Sequence, residues 1–177
     1  MKRSIGCWQL FGFAAVSLAG TLLHFLFDWT GGALWTAPFS GVNESTWEHM
    51  KLLFWPMFLY ACFQYIFFRD TKNFWCIQTK GILLGLALIP VLFYTYNGVV
   101  GQSPDWINIA IFFISAAIAY LYQTSQFRSG TTNCRWEKLS FLILCVIAGL
   151  FVLFTFSTPQ LGVFKDPITG RYGLNAA

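Results

Sequence analysis

The sequence predicts an all-α polytopic membrane protein, a bundle of five transmembrane helices. Only 10% of the 177 residues are charged and 56% are hydrophobic, whereas soluble domains carry about 25% charged residues. Five long apolar stretches also approach the roughly 20 residues that a membrane-crossing helix needs. Strands of a membrane barrel would instead alternate in polarity over shorter segments. The composition therefore excludes a soluble globular domain, a disordered chain and a disulfide-rich secreted module.

The predicted spans follow one another with short polar connections, and residues 1–177 are expected to form a single transmembrane domain. The first span continues past Ser17 and Ala19 through further apolar residues, so we expect a retained helix and not a cleaved signal peptide. Residues 158–177 are rich in turn signals, and we expect an external tail that either covers the bundle as a lid or frays. The spans cover residues 5–29, 49–68, 74–96, 106–123 and 139–157.

Basic residues are divided unequally between the two ends of the spans. Lysine and arginine in short loops favour the cytoplasmic side. The amino terminus is therefore predicted to be cytoplasmic and the carboxyl terminus external, in a multi-pass protein of the cell membrane. The net charge of +4 lies at membrane edges, so nucleic acid is not an expected partner. The residues on the predicted inner side are Lys2, Arg3, Arg69, Lys72, Arg128, Arg135 and Lys138.

The cysteines are not expected to form structural disulfides. Cys7, Cys76 and Cys134 lie at or near the predicted cytoplasmic end, where thiols stay reduced. Cys62 and Cys145 lie inside spans, and the chain has no C-x-x-C pair that would indicate a thiolate metal site. We expect all five to be packing residues.

Most acidic residues and both histidines concentrate at the predicted external end. His24 and Asp28 are four residues apart near the end of the first span, so they share a helix face. One interpretation is a histidine oriented by a carboxylate at the headgroup level, beside the aromatic anchor Trp29. The other is a base or metal ligand held by a carboxylate.

A second polar block stands at the start of the second span. Ser45 and Glu48 have the spacing of a capping box, and Asn43 is an alternative N-cap. We expect Glu44 and Glu48 to share one helix face, and Ser45 and His49 the next. Capping does not explain why so many polar groups arrive together, because charges near hydrocarbon are costly unless they pair or line a cavity.

Further residues at the external end are expected to line a polar pocket. The tyrosines among them are also typical of the aromatic belt at a membrane surface. Gln64 lies deeper in the second span and needs a partner if it faces the bundle. The expected pocket-lining residues are Asn43, Lys51, Tyr94, Tyr96, Asp166 and Tyr172.

Four blocks of this sequence resemble an uncharacterised bacterial integral membrane family, the domain of unknown function 6512 type. The most specific block, residues 42–56, has the pattern VNES-x-WEH-x-KLLF-x-P. The other blocks are residues 20–29, 93–98 and 164–173, and Asp28 stands where the family often has Glu. The resemblance covers nearly the whole chain. It implies no activity, but it implies that these blocks belong to one external polar site.

A more distant similarity concerns membrane hydrolases of the progestin-receptor and alkaline-ceramidase type. They also have an Asn-Glu-Ser/Thr element followed by a histidine. Here Glu44 and His49 are only five residues apart, and the chain has too few spans and lacks a second paired-histidine element. We treat this similarity as an analogy.

The residues favour a membrane-embedded hydrolase or transferase that acts on a lipid or lipid-linked substrate. In one mechanism, the histidines and one or two nearby carboxylates bind Zn²⁺ or another divalent cation, and Glu44 or Glu48 is the general base. In the other, metal-free mechanism, His49 is the base and Ser45 a nucleophile. The candidate metal ligands are His24, Asp28 and His49, and the candidate catalytic residues are Glu44, Ser45, Glu48 and His49.

Two other functions stay open on the sequence. A small transporter, channel or solute-binding subunit would attract cations to the acidic rim and continue inward past Gln64, and a pore in so small a chain would need an oligomer. A non-catalytic partner protein would instead dock another membrane protein on the external rim and tail.

Overall fold

A computed structural model describes residues 2–101, 104–130 and 132–176. Within those ranges the protein is all-α, with five long helices and no strand beyond one isolated bridge. Each long helix has the length and apolar composition to cross a membrane, which confirms the predicted fold class of a multi-pass helical bundle. The helices are α1 Lys2–Trp29, α2 Thr46–Phe68, α3 Phe74–Val99, α4 Asp105–Ser129 and α5 Glu137–Phe156, followed by short 3-10 turns at Gly162–Phe164 and Gly173–Ala176.

Local capping chemistry shifts two helix ends from their predicted positions. Helix α2 begins at Thr46 because the Ser45 side chain caps it and accepts a hydrogen bond from the Glu48 amide at 3.4 Å. The second half of the capping box does not form, since the Ser45 amide donates to the Asn43 side chain instead. Helix α4 runs past its predicted end and stops at Gly130, which adopts a left-handed conformation with φ of 65° that glycine adopts without steric cost.

The bundle is arranged around α2, which contacts each of the other four long helices. Its neighbours α1, α3 and α4 also contact one another as α1–α4 and α3–α4 pairs, whereas α5 lies at the edge, mainly against α3. Residues at the centre of this packing, such as Leu53, Phe54 and Ile82, are fully buried. The outward faces stay apolar, as expected for helices surrounded by hydrocarbon.

The α1–α2 loop and the tail both fold over the end of the bundle where α1 ends and α2 begins, which we call the site end. Ser40 in the loop bonds back to α1, donating to the Leu23 carbonyl at 2.8 Å and accepting from the Phe27 amide at 2.9 Å. Phe164 in the tail packs on Trp47 with ring centroids 4.6 Å apart. These contacts hold the loop and the tail against the two helices.

Buried glutamines form a polar group toward the opposite end of the bundle. Gln64 faces the interior and has the partner its burial requires, because Gln78 Nε2 donates to Gln64 Oε1 at 2.7 Å. Gln123 Nε2 donates to the Gln78 carbonyl at 3.3 Å. All three side chains are buried, so α2, α3 and α4 are linked by polar contacts as well as by apolar packing.

The expectation that no cysteine would pair was wrong for Cys76 and Cys134. These two residues form a disulfide between the start of α3 and the segment before α5, with Cα atoms 6.3 Å apart. They are 58 residues apart in sequence, so only the packing of α3 against α5 brings them together. The remaining cysteines, Cys7, Cys62 and Cys145, are free.

Candidate metal centre

Three polar side chains from separate segments meet at the site end. His24 lies in the last turns of α1, and His49 lies in the first turn of α2. Glu44 belongs to the loop that joins these helices, immediately before the capping residue Ser45. Because α1 and α2 pack side by side, the end of one and the start of the other are adjacent, and the loop places Glu44 between the two imidazoles.

The distances within this trio are close to the spacing of ligands around one metal ion. His24 Nε2 is 3.5 Å from Glu44 Oε1, and His49 Nε2 is 3.5 Å from Glu44 Oε2. One ligand atom from each residue can be chosen so that all three lie within 4.8 Å of one another. Tetrahedral ligands at zinc distances are separated by about 3.3–3.5 Å, so a modest closure of the trio would place all three around one ion.

A backbone hydrogen bond fixes the orientation of His49. Its Nδ1 lies 3.0 Å from the Ser45 carbonyl oxygen, which can only accept, so Nδ1 carries the proton. The Nε2 lone pair is then the one directed at the trio. Histidines that bind metals are commonly held in this way by a carbonyl on their second nitrogen.

Glu44 is held in its ionised form by its neighbours. Its hydrogen bond to His24 lowers the pKa of the carboxyl below the ordinary value of 4.5. Partial burial opposes this effect by penalising the charged form. Glu44 therefore supplies a carboxylate, and not a carboxylic acid, at neutral pH.

The trio lies at the polar end of a cavity of about 410 Å³, a volume within the range of small-molecule sites. The remainder of the cavity is bounded mainly by apolar side chains of α1, α2 and α4. Besides the trio, its lining consists of Gly20, Thr21, Phe25, Leu52, Asn108, Ile109, Phe112, Phe113 and Ile168.

A family model matches residues 1–174, and its description is Family of unknown function (DUF6512). The chain belongs to this family. The family membership that the four sequence blocks predicted is thereby confirmed. No curated protein and no solved structure matches the DUF6512 chain.

The structure of this DUF6512 protein places Glu48 and Lys51 away from the cavity lining. Lys51 Nζ lies 2.6 Å from Glu48 Oε2 and donates to the Ala37 carbonyl at 2.8 Å and to Thr155 Oγ1 at 3.1 Å. The same Glu48 oxygen accepts from the Val42 amide at 3.0 Å. Both charged side chains are almost fully buried, so the pair joins the loop, α2 and α5.

Asn43, Ser45 and Asp28 also lie outside the lining. The Ser45 side chain caps α2 and is buried. The Asn43 side chain donates to the Gly173 carbonyl at 3.0 Å, which ties the loop to the tail. Asp28 is exposed on α1, and the trio does not include it.

The remaining predicted pocket residues are divided between α3 and the tail. Tyr94 is exposed and Tyr96 is half-buried, and neither is among the residues that line the cavity. Asp166 is buried and shapes a turn by accepting from the Ile168 amide and the Thr169 hydroxyl. Tyr172 forms an antiparallel bridge with Lys165. The tail residue that does reach the cavity is Ile168.

Sequence reasoning missed the α4 wall of the cavity. Asn108, Ile109, Phe112 and Phe113 recur at intervals of three and four and so share one helix face. Nothing in their composition separates them from ordinary lipid-facing or core residues. Asn108, a polar residue near the start of a mainly apolar span, was the available signal.

Proposed function

We propose that this DUF6512 protein is a metal-dependent enzyme of the cell membrane that hydrolyses, or transfers a group on, a lipid or lipid-linked substrate. The observation that carries the proposal is the position of His24, Glu44 and His49 at the polar end of an otherwise apolar cavity. Charged groups near hydrocarbon are costly unless they pair or line a cavity, and the trio does both.

The ligand types support Zn²⁺ or another divalent transition metal. Two imidazoles and one carboxylate form a donor set that catalytic zinc sites use, with a fourth position left for water or substrate. A metal held by these residues would supply Lewis acidity toward a carbonyl or phosphoryl oxygen and would lower the pKa of bound water to about 7. Hydrolysis then becomes feasible near neutral pH.

The residues of the chain supply the remaining steps of hydrolysis. The oxygen of water forms a bond to the electrophilic centre, the bond to the leaving oxygen or nitrogen breaks, and a proton moves from the water to the leaving atom. Glu44 has two carboxylate oxygens, so one can bind the ion while the other accepts the proton and passes it on. His49, oriented by the Ser45 carbonyl, would hold the ion and take no part in the proton transfer.

A transporter or channel is the second candidate, and the buried Gln64, Gln78 and Gln123 are the observation that favours it. It ranks below the enzyme because these glutamines do not line the cavity that begins at the trio. A solute path would need to connect the trio at the site end with the buried glutamines toward the opposite end.

Metal analysis of purified protein tests the proposal. Wild type is measured beside His24→Ala, His49→Ala and Glu44→Gln, with Asp28→Asn as the matched control because Asp28 is a nearby carboxylate outside the trio. We expect about one ion per chain in wild type and in the control, and loss of the ion in the three trio variants. A folded wild type without metal, or trio variants that retain it, would refute the metal centre.

Turnover is tested on the same samples with a fluorogenic acyl ester presented in lipid vesicles. Chelation should abolish hydrolysis, and added Zn²⁺ should restore it in wild type and in Asp28→Asn only. Hydrolysis that resists chelation, or that persists in His49→Ala, would overturn the proposed chemistry.

A further inference from the structure

The cavity opens between α1 and α4 at the side of the bundle. Its α1 wall includes Phe25, which is 46% exposed, and its α4 wall includes Ile109 and Phe113, which are 57% and 37% exposed. Lining residues that are also exposed mark the mouth of a cavity. The helices that carry these residues have the length and apolar composition to cross a membrane, so their exposed apolar side chains suit hydrocarbon better than water.

The cavity is closed at its inner end by tight packing of α1. A Cβ placed on Gly20 would lie 2.5 Å from Phe112 Cζ and 2.9 Å from the Leu52 carbonyl oxygen, so no space separates the three helices there. Gly20 precedes His24 by four residues, which is about 6 Å along a helix. The site end of the cavity carries the polar trio and the exposed tail residue Ile168, so an apolar occupant larger than a few atoms is best accommodated through the side, between α1 and α4.

We infer that the cavity receives one hydrocarbon chain, which enters sideways from the surrounding leaflet between α1 and α4; the inference rests on the proposed function. A chain that ends at the trio presents its first polar group to His24, Glu44 and His49. The substrate class is then a lipid or amphiphile whose reacting bond adjoins the chain, an acyl ester or amide. A bond in a headgroup far from the chain would lie beyond the trio.

The reaction for this class is hydrolysis at the acyl carbon. The water oxygen bonds to that carbon, its bond to the leaving oxygen or nitrogen breaks, and the proton of the water goes to the leaving atom. The products are a fatty acid and an alcohol or amine. The acid retains its chain in the cavity and leaves by the same side opening.

Photo-crosslinking tests the position of the chain. Purified protein is incubated with Zn²⁺, reconstituted in phosphatidylcholine nanodiscs and irradiated with a long-chain fatty acid that carries a diazirine in its chain. The labelled residues are mapped by mass spectrometry. We expect label to concentrate on Phe25, Ile109 and Phe113 relative to the lipid-facing residues Leu142 and Val146 of α5. Label spread equally over the outer faces of all five helices would overturn the inference.

Variants at the mouth provide the matched comparison. Ile109→Trp narrows the opening from α4 and Thr21→Trp narrows it from α1, and both replace exposed side chains, so the fold should persist. The control is Ile114→Trp, an exposed α4 position outside the lining. We expect both mouth variants to lose the concentrated label and the control to retain it. Unchanged label in both mouth variants would overturn the inference.

Metal content in these samples separates this inference from the proposed function. Concentrated label without bound metal would support the chain site and refute the metal chemistry. Bound metal with evenly spread label would refute the lateral chain site and leave the metal enzyme standing.

Discussion

Replacing Lys51 by methionine should strongly destabilise the protein. The Lys51 side chain is 0% exposed and its ammonium has three partners in three segments: Glu48 Oε2 at 2.6 Å, the Ala37 carbonyl at 2.8 Å and Thr155 Oγ1 at 3.1 Å. Methionine preserves the volume but leaves the Glu48 carboxylate buried without a counter-charge. Removing one partner of a buried ion pair costs about 3–5 kcal/mol. The loop, α2 and α5 would all lose a shared anchor.

The expected loss corresponds to a fall in Tm of roughly 6–20 °C for a chain of this size. It is measured by thermal denaturation in detergent, with Lys80→Met as the control because Lys80 is exposed. The double variant with Glu48→Gln and Lys51→Met should recover part of the loss, since it leaves no unpaired charge and the glutamine oxygen still accepts from the Val42 amide. A Lys51→Met protein that melts within about 2 °C of wild type would refute the reasoning.

Three further predictions concern the acidity of Glu44, the glutamine contacts and the α1 packing. Because the pKa of Glu44 is lowered, its carboxylate stabilises the metal-free fold above about pH 4.5, and this stabilisation should vanish as the pH falls through the lowered pKa. The Tm difference between wild type and Glu44→Gln, measured from pH 7 to 3, should therefore shrink. A Tm difference that stays constant over this range would contradict the prediction. Gln64→Leu should lower the free energy of unfolding by about 1–3 kcal/mol, because it leaves Gln78 Nε2 unpaired. Replacing Gln64 and Gln78 together by leucine should restore most of the Tm, and a double variant that melts no higher than Gln64→Leu would contradict the prediction. Gly20→Ala should lower the free energy of unfolding by about 1–3 kcal/mol, because the added methyl group overpacks against Phe112. Gly149→Ala places its Cβ in open space and should be neutral or stabilising by up to about 1 kcal/mol. Equal Tm values for the two variants would contradict the prediction.

Hydropathy was sufficient for the five helices because each long helix carries its own apolar signal. The ends were less well predicted, since they depend on a few local bonds. Helix α2 begins at Thr46 and not at His49 because Ser45 caps it. The expected sharing of one helix face by Glu44 and Glu48 was wrong for the same reason, because Glu44 precedes the helix and follows the path of the loop.

The residues of the trio could be predicted one by one from the sequence, but their meeting at one site could not. Periodicity orders residues along one helix, and it contains no information about the distance between His24 on α1 and His49 on α2. Only the side-by-side packing of the two helices and the bonds of Ser40 to α1 determine that distance. The disulfide between Cys76 and Cys134 was missed because thiols at the predicted cytoplasmic end were expected to stay reduced. The sequence also could not show that the two residues meet, since only packing of α3 and α5 brings them together.

The two glutamates near the start of α2 have different roles, because Glu48 stabilises the loop that carries Glu44. Glu48 Oε2 accepts from the Val42 amide, two residues before Glu44, so the buried pair with Lys51 fixes the loop that carries Glu44 to the histidines. A Glu48→Gln variant should therefore lose stability while its folded fraction retains the metal. A Glu44→Gln variant should lose the metal with a smaller change in Tm. The reverse pattern, a stable Glu48→Gln protein without metal, would place Glu48 in the chemistry and Glu44 among its supports.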